Sequence, residues 1–146
     1  MKTEALLQLD NQLCFPLYAA SRMVTKLYQP LLEELDITYP QYLILLVLWE
    51  NDELSVNEIG KKIMLETNTL TPLLKRMETK NIIKRTRSII DERRVIVKLT
   101  PKGSSLKEKA LCIPAELLAG MSAEFSMEKI NRLRTDLNNF LEILSK

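Results

Sequence analysis

Two thiols and no imidazole set the chemistry open to this chain. Cys14 and Cys112 are its cysteines, and histidine is absent from all 146 residues. Without histidine neither Ser-His-Asp nor Cys-His catalysis can be assembled, and two cysteines fall short of a structural zinc site. The second chemically active group is basic. Between Lys61 and Lys102 stand twelve basic residues, among them Lys75, Arg76, Arg87, Arg93 and Arg94, against the four acids Glu66, Glu78, Asp91 and Glu92. The rest of the chain has nine basic and fifteen acidic residues, so a formal net charge of +2 hides a polarised molecule. A concentrated positive field suits a polyanion such as nucleic acid; the bland alternative is a solvated basic face without a ligand.

The length allows one domain with one core, and 46% hydrophobic against 27% charged residues is ordinary for a folded protein. Three glycines are too few for the tight turns of an all-β fold. The start Met1-Lys2-Thr3-Glu4 lacks the apolar stretch of a secretory signal. The longest apolar run, Tyr42 to Trp49, falls short of the ~20 residues that a membrane span takes. A cytoplasmic protein with reduced thiols is therefore expected, without a membrane partner.

Apolar periodicity predicts an amphipathic helix from Asp10 to about Glu34, through Leu13, Leu17, Ala20, Val24, Leu27 and Leu31. Pro16 fits its first turn, whereas Pro30 should kink it or end its regular part. Thr38, with Pro40 behind it, opens a second helix to about Glu50 that is apolar nearly all round and belongs at the centre of the fold. Ser55 caps a short helix, and Glu58 completes a capping-box pattern. A further helix runs from about Thr67 to Lys80 on the inner stripe Leu70, Leu73, Leu74 and Met77, and Asn81 stops it. Two β-branched runs, at 82–86 and 95–100, flank a charged tip at 87–94 and predict an antiparallel hairpin. Thr100 and Pro101 open a helix to about Leu118, bent at Pro114. After a linker from Gly120 to Ser126, the last helix reaches Leu144.

Two short helices followed by a basic hairpin form a winged helix-turn-helix, in a mainly α fold with a small β wing. The second helix would lie in the major groove of double-stranded DNA, presenting Thr67, Asn68, Thr69 and Thr71 to bases and phosphates, with Lys75 and Arg76 on phosphate. Thr67 reads equally well as a cap; Thr69 reads better as a DNA contact, and Asn68 can pair with adenine. Arg87, Arg93 and Arg94 at the hairpin tip can reach a minor groove or the backbone beside it.

The run Asp91-Glu92-Arg93-Arg94-Val95-Ile96-Val97-Lys98-Leu99-Thr100, followed by Pro101-Lys102-Gly103, resembles the wing of MarR-type repressors. Leu9-Asp10-Asn11-Gln12-Leu13-Cys14-Phe15, Ile37-Thr38-Tyr39-Pro40-Gln41-Tyr42 and Thr69 to Glu78 are similar to the OhrR branch, which senses organic hydroperoxides. The likeness covers nearly the whole chain. It implies a homodimer built from arms at about 5–36 and 101–146 around a DNA-binding lobe at about 38–100. It also implies that Asp91 orients the wing and that Arg93 enters the minor groove.

In that branch a cysteine at the position of Cys14 is the sensor, oxidised by peroxide to a sulfenic acid. Tyrosines matching Tyr28 and Tyr39 donate hydrogen bonds to its sulfur from the partner subunit, with one matching Tyr18 nearby. Without the resemblance, Cys14 reads as a small apolar residue on a buried helix face. Three features depart from the branch: Pro16, the run Glu66-Thr67-Asn68, and Cys112, which stands earlier than the resolving cysteine of its two-cysteine members. Pro16 would start the helix close to Cys14 and set its sulfur near unpaired N–H groups, and Glu66-Thr67-Asn68 stands where relatives have Asp-Ser-Gly. Cys112 reads either as core or as a resolving thiol, and a small thiol is the other candidate to cap oxidised Cys14. The expectation is a redox-sensing repressor with no metal or cofactor, not an enzyme. The reduced dimer would hold a pseudopalindromic operator and release it when organic hydroperoxide oxidises Cys14. Its rivals are a related regulator answering a phenolic ligand or general oxidants, a thiol peroxidase, and a helical protein-interaction module.

Overall fold

The apolar run at Tyr42–Trp49 becomes the spine of the protein. In the computed structural model, which describes residues 3–121 and 123–146, helix α2 spans Tyr39–Glu50 and buries Tyr42, Ile44, Leu45 and Leu48. Its start is fixed by a full capping box. The Thr38 hydroxyl accepts the Gln41 N–H at 3.5 Å, and the Gln41 side chain accepts the Thr38 N–H at 3.0 Å. Because α2 is apolar on every side it packs against four other helices: α1 (Cys14–Glu33), α3 (Val56–Ile63), α4 (Thr67–Thr79) and α5 (Pro101–Ala110).

Three expectations about the helices are corrected. Helix α1 begins at Cys14, not Asp10, behind two short 3-10 turns at Thr3–Leu7 and Leu9–Asn11. The side-chain amides of Asn11 and Gln12 donate to the carbonyls of Ala5 and Leu6 at 2.6 and 2.7 Å, a local alternative to helical pairing. Pro30 does not end α1, which continues to Glu33. The carbonyl deprived of its partner belongs to exposed Lys26, where water can satisfy it. Pro114, by contrast, breaks its helix rather than bending it. Lacking the N–H that would bond Ala110, it stops α5 and sits in the first turn of α6 (Ile113–Ala119).

The hairpin forms as expected from β2 (Ile83–Arg87) and β3 (Val95–Leu99), paired from Ile83↔Leu99 to Arg87↔Val95. An unexpected strand, β1 (Leu54–Ser55), pairs with the other edge of β3, giving the order β1-β3-β2. Two residues are too few to show strand alternation in a sequence. Ile59, Leu70, Leu74, Met77, Ile82, Ile83 and Val97 close the core between α3, α4 and this sheet.

The chain divides into two compact units, Met1–Ile113 and Pro114–Lys146. In the second, α7 (Met127–Leu144) starts where expected, with the Ser126 hydroxyl accepting the Lys129 N–H at 3.3 Å. Ser122 of the linker lies outside the described residues, as do Met1 and Lys2 of the start read as lacking a signal. Among the described residues, no helix is long and apolar enough to cross a membrane, and no group of three or more Cys, Asp or Glu could hold a metal ion.

Candidate DNA-reading face and thiol site

The turn between α3 and α4 sets the angle of the reading helix. Met64 ends α3 in the left-handed region at φ 56°, and the Leu65 N–H returns to the Gly60 carbonyl at 3.0 Å. A β-carbon on Gly60 would lie 2.6 Å from the Leu65 carbonyl oxygen, so this crossing requires glycine. At the other end, the Asn81 N–H reaches the Glu78 carbonyl and the Ile82 N–H reaches Met77, with Asn81 at φ 61°. This is the stop expected there.

Helix α4 buries Leu70, Leu74 and Met77 and turns Thr67, Asn68, Thr69, Lys75 and Arg76 to solvent. Glu66 precedes the helix without capping it, and Thr67 is its first residue, so the cap reading of Thr67 fails. The Thr67 hydroxyl donates instead to Asn57 Oδ1 at 3.1 Å, and that of half-buried Thr71 donates to the Thr67 carbonyl at 2.8 Å. Both oxygens keep lone pairs for further bonds. Thr67 and Thr71 share a groove with Arg93 and Arg94, which brings the helix start and the wing to one face.

Acids brace the wing, and of these the sequence assigns only Asp91 to that role. Glu78 of α4 accepts the Arg85 N–H at 2.9 Å and its guanidinium at 3.3 Å. That N–H, and then the guanidinium, hold the Glu78 carboxyl below its usual range against the opposing effect of burial. Glu58 pairs with Arg94, and it also accepts the Ser55 hydroxyl at 3.0 Å while its N–H donates to that hydroxyl at 3.1 Å. The box expected at Ser55 is therefore half formed, with the Glu58 carboxylate drawn to Arg94. Asp52 accepts the Leu99 N–H at 2.9 Å. At the tip, Asp91 Oδ1 accepts the Arg93 N–H at 3.0 Å, so Asp91 acts on the wing through backbone. The twelve basic residues now separate. Lys80, Arg85, Arg94 and Lys98 are in ion pairs. Lys61, Lys62, Lys75, Arg76, Lys84, Arg87, Arg93 and Lys102 have no ion pair among the described residues, leaving an open positive surface.

Cys14 is exposed at the first position of α1, with no hydrogen-bond partner for its sulfur among the described residues of this one chain. The reading of it as a buried apolar residue does not hold. Tyr28, Tyr39 and Tyr42 gather into one cluster, with ring centroids 5.0 Å apart for Tyr28–Tyr39 and 5.7 Å for Tyr28–Tyr42. Burial, then its two neighbours, push the Tyr28 hydroxyl up to about 12, and burial raises Tyr39 as well. These phenols therefore keep their protons and remain donors at neutral pH. Tyr18 stands apart, exposed, with the Arg22 guanidinium 5.1 Å from its ring centre. Cys112 is also exposed, its thiol 3.4 Å from the Lys109 carbonyl, so it is not core.

Known proteins are similar to this chain over most of its length. The model of the SarA/Rot transcriptional regulators matches residues 26–110. An organic hydroperoxide resistance transcriptional regulator of Bacillus subtilis (strain 168) is 51% identical over 138 residues, covering 94% of this chain and 92% of the relative. Among solved structures, reduced AbfR bound to DNA is 36% identical at TM-score 0.80, covering the whole of both chains. Overoxidized AbfR bound to DNA, also 36% identical and covering 99% of each chain, has TM-score 0.77. The disulfide form of AbfR is 34% identical over 97% of this chain and 94% of that one, at TM-score 0.65.

Proposed function

The chain belongs to the MarR-like winged-helix transcriptional regulators, beside those of organic hydroperoxide resistance, and from that premise we propose that it is a redox-sensing repressor switched at Cys14. The observation that carries the reading is the pairing of an open basic face on α4 and the wing with an exposed thiol at the start of α1. Thr67, Asn68, Thr69 and Thr71 read the major groove of a pseudopalindromic operator, Lys75 and Arg76 bind phosphate, and Arg87 and Arg93 reach the minor groove. Arg94, already held by Glu58, braces the wing beside them. The active form is a homodimer formed by the arms at about 5–36 and 101–146. In support, Leu13, Phe15, Tyr18 and Met23 of the first arm are exposed, as are Leu133, Leu141, Ile143 and Leu144 of the last helix.

The inducer is an organic hydroperoxide. The Cys14 thiolate attacks its terminal oxygen, the O–O bond breaks, and the products are a sulfenic acid and, after proton uptake, an alcohol. Protonated phenols of Tyr28 and Tyr39 from the partner subunit hold the thiolate, with Tyr18 nearby. The thiol of Cys112 or of a small molecule then attacks the sulfenic sulfur, the S–O bond breaks, and a disulfide and water result. The similar protein AbfR is known in reduced, overoxidized and disulfide forms, which supports thiol redox chemistry as the signal.

Operator binding tests the reading. A duplex selected from a random pool by the reduced protein is titrated at fixed salt, with and without cumene hydroperoxide, against wild type and Cys14→Ser. Wild type should lose about a hundredfold in affinity, or about 2.7 kcal/mol, and Cys14→Ser nothing. Wild-type binding that ignores the peroxide sinks the sensor, and loss in both proteins moves the sensor away from Cys14. A second reading, response to a phenolic ligand, is favoured by a cleft of about 630 Å³ on α1 and the start of α2, lined by Arg22, Lys26, Gln29 and Tyr39. Release by salicylate but not by peroxide would select it.

A further inference from the structure

The wing carries a feature that its charge does not explain. Ile89 and Ile90, at its extreme tip, are fully exposed, at 102% and 98%. Around them the backbone is held closed. The Ser88 N–H donates to the Arg94 carbonyl at 2.8 Å and the Arg94 N–H to Asp91 at 2.9 Å. The Ser88 hydroxyl accepts the N–H groups of Ile90 and Asp91 at 3.2 and 3.3 Å, and Arg87 Nη1 donates to the Glu92 carbonyl at 3.1 Å. A loop with its polar groups so occupied presents its two apolar side chains as one fixed projection. Isoleucine is stiff at χ1, so ordering it against a partner costs little entropy. The unpaired cations Lys84, Arg87 and Arg93 stand on the same hairpin and select a polyanionic partner over a membrane core or an apolar protein groove.

We propose that Ile89 and Ile90 are minor-groove contact residues, packing as an apolar wedge against deoxyribose faces and the base step that the wing reaches. This rests on the DNA-reading function above and adds a binding component independent of counterion release. Phosphate contacts weaken with salt because they displace condensed ions, whereas apolar contact with sugar and base displaces none. Isoleucine is among the side chains that serve as such wedges, and steps that unstack easily should be preferred under the tip.

The test is affinity against salt on the selected duplex, for wild type, the double variant Ile89→Ser/Ile90→Ser, and Arg93→Gln. Both isoleucines are exposed, so the double variant should melt with the wild type. Its Kd should rise about tenfold at every salt concentration with the salt slope unchanged, whereas Arg93→Gln should lower the slope by about one per protomer. Hydroxyl-radical protection of the minor groove under the wing should fade in the double variant alone. A wild-type Kd for the double variant, or a change confined to its salt slope, overturns the proposal while leaving the DNA-reading function intact. So does a shift in oligomeric size without a shift in Kd, which would make the tip a self-association surface. If wild type selects no duplex, the DNA-reading function fails and the wedge with it.

Discussion

Gly60→Ala should destabilise the protein and tilt its reading helix, although alanine is the better helix former. In a helix interior alanine gains about 1 kcal/mol over glycine. Against that, the new β-carbon would lie 2.6 Å from the Leu65 carbonyl oxygen and 3.2 Å from Leu70 Cδ1. The Leu70 methyl can move, but the Leu65 oxygen is backbone in the turn that joins α3 to α4. Overpacking of this kind costs about 1–3 kcal/mol. The Leu65 N–H to Gly60 carbonyl bond, 3.0 Å long, spans the same turn and contributes about 1 kcal/mol more when stretched. The net loss is about 2 kcal/mol, which for a chain of this size lowers Tm by about 4–8 °C. Circular-dichroism melts at one fixed protein concentration measure the first effect, and anisotropy on the selected duplex the second. DNA affinity should fall more than Tm implies, because displacing α4 moves Thr67 to Thr71 together. Gly120→Ala is the control. Its β-carbon would meet nothing nearer than 3.4 Å and its φ is not positive, so stability should hold or rise slightly. If Gly60→Ala melts at or above the wild-type temperature, the turn has slack and the close-crossing reasoning is wrong.

Glu78→Ala should cost about 1 kcal/mol, since the pair is partly exposed, and should raise amide exchange at Arg85 as β2 loosens from α4. Because the folded-state Glu78 carboxyl is lowered, its clamp is intact above the unfolded carboxylate range and is lost as pH falls through the folded value. The Arg85 protection factor, taken against the intrinsic exchange rate at the same pH, should therefore fall in acid in wild type and stay flat in Glu78→Ala. The tyrosine cluster has the opposite sign. Tyr28 is raised from 10.0 to about 12, so its stabilisation is complete below pH 10 and is lost as pH climbs toward 12. After allowance for partial solvent screening this amounts to about 1–2 kcal/mol, and Tyr28→Phe should flatten the alkaline decline in urea midpoint. Glu58→Gln should free Arg94 and increase the salt slope of DNA binding; an unchanged slope means that Arg94 stays off the phosphates.

Much of the fold was legible because local and tertiary signals agree. Thr38, Ser126 and Thr100 cap the helices they were expected to start, and Asn81 stops α4. Legibility failed where one residue supports two structures. Pro30 and Pro114 look alike in a sequence, yet one is tolerated within α1 and the other separates α5 from α6. The bracing acids Glu78 and Glu58 were invisible for another reason. They acquire partners only when β2 and the tip come back to α4 and α3, a nonlocal event without a periodic trace. On the thiol side, residue pattern alone read Cys14 as a buried apolar position and only the family resemblance made it a sensor; its exposure in this one chain goes against the first reading. Why part of the apolar face of α1 stays exposed is also outside one chain's sequence: Tyr28, Leu31 and Leu32 meet the core, whereas Phe15, Met23 and Leu27 are exposed, the residues that the proposed dimer would cover.

The same spine ties the phenols to the reading helix. Tyr39 is the first residue of α2 and Trp49 lies near its end, with the Tyr42 ring between them, tilted at 6.3 Å from the first and edge-on at 6.4 Å from the second. The Trp49 indole N–H donates to the Gly103 carbonyl at 3.0 Å, and a β-carbon on Gly103 would lie 2.2 Å from the Ile82 carbonyl at the base of the wing. Helix α2 also packs against α3 and α4. A close-packed helix cannot absorb a push by deforming smoothly; it moves as a body or not at all. Under the proposed function, oxidation of the partner's sulfur changes what Tyr28 and Tyr39 donate to, and a shift of Tyr39 loads the whole of α2. Both reading elements are seated on that helix or on its Gly103 contact, so helix and wing would leave the groove together. The wedge and the Arg93 contact would then be lost in one step, and oxidised protein should lose its salt-independent affinity along with its salt slope.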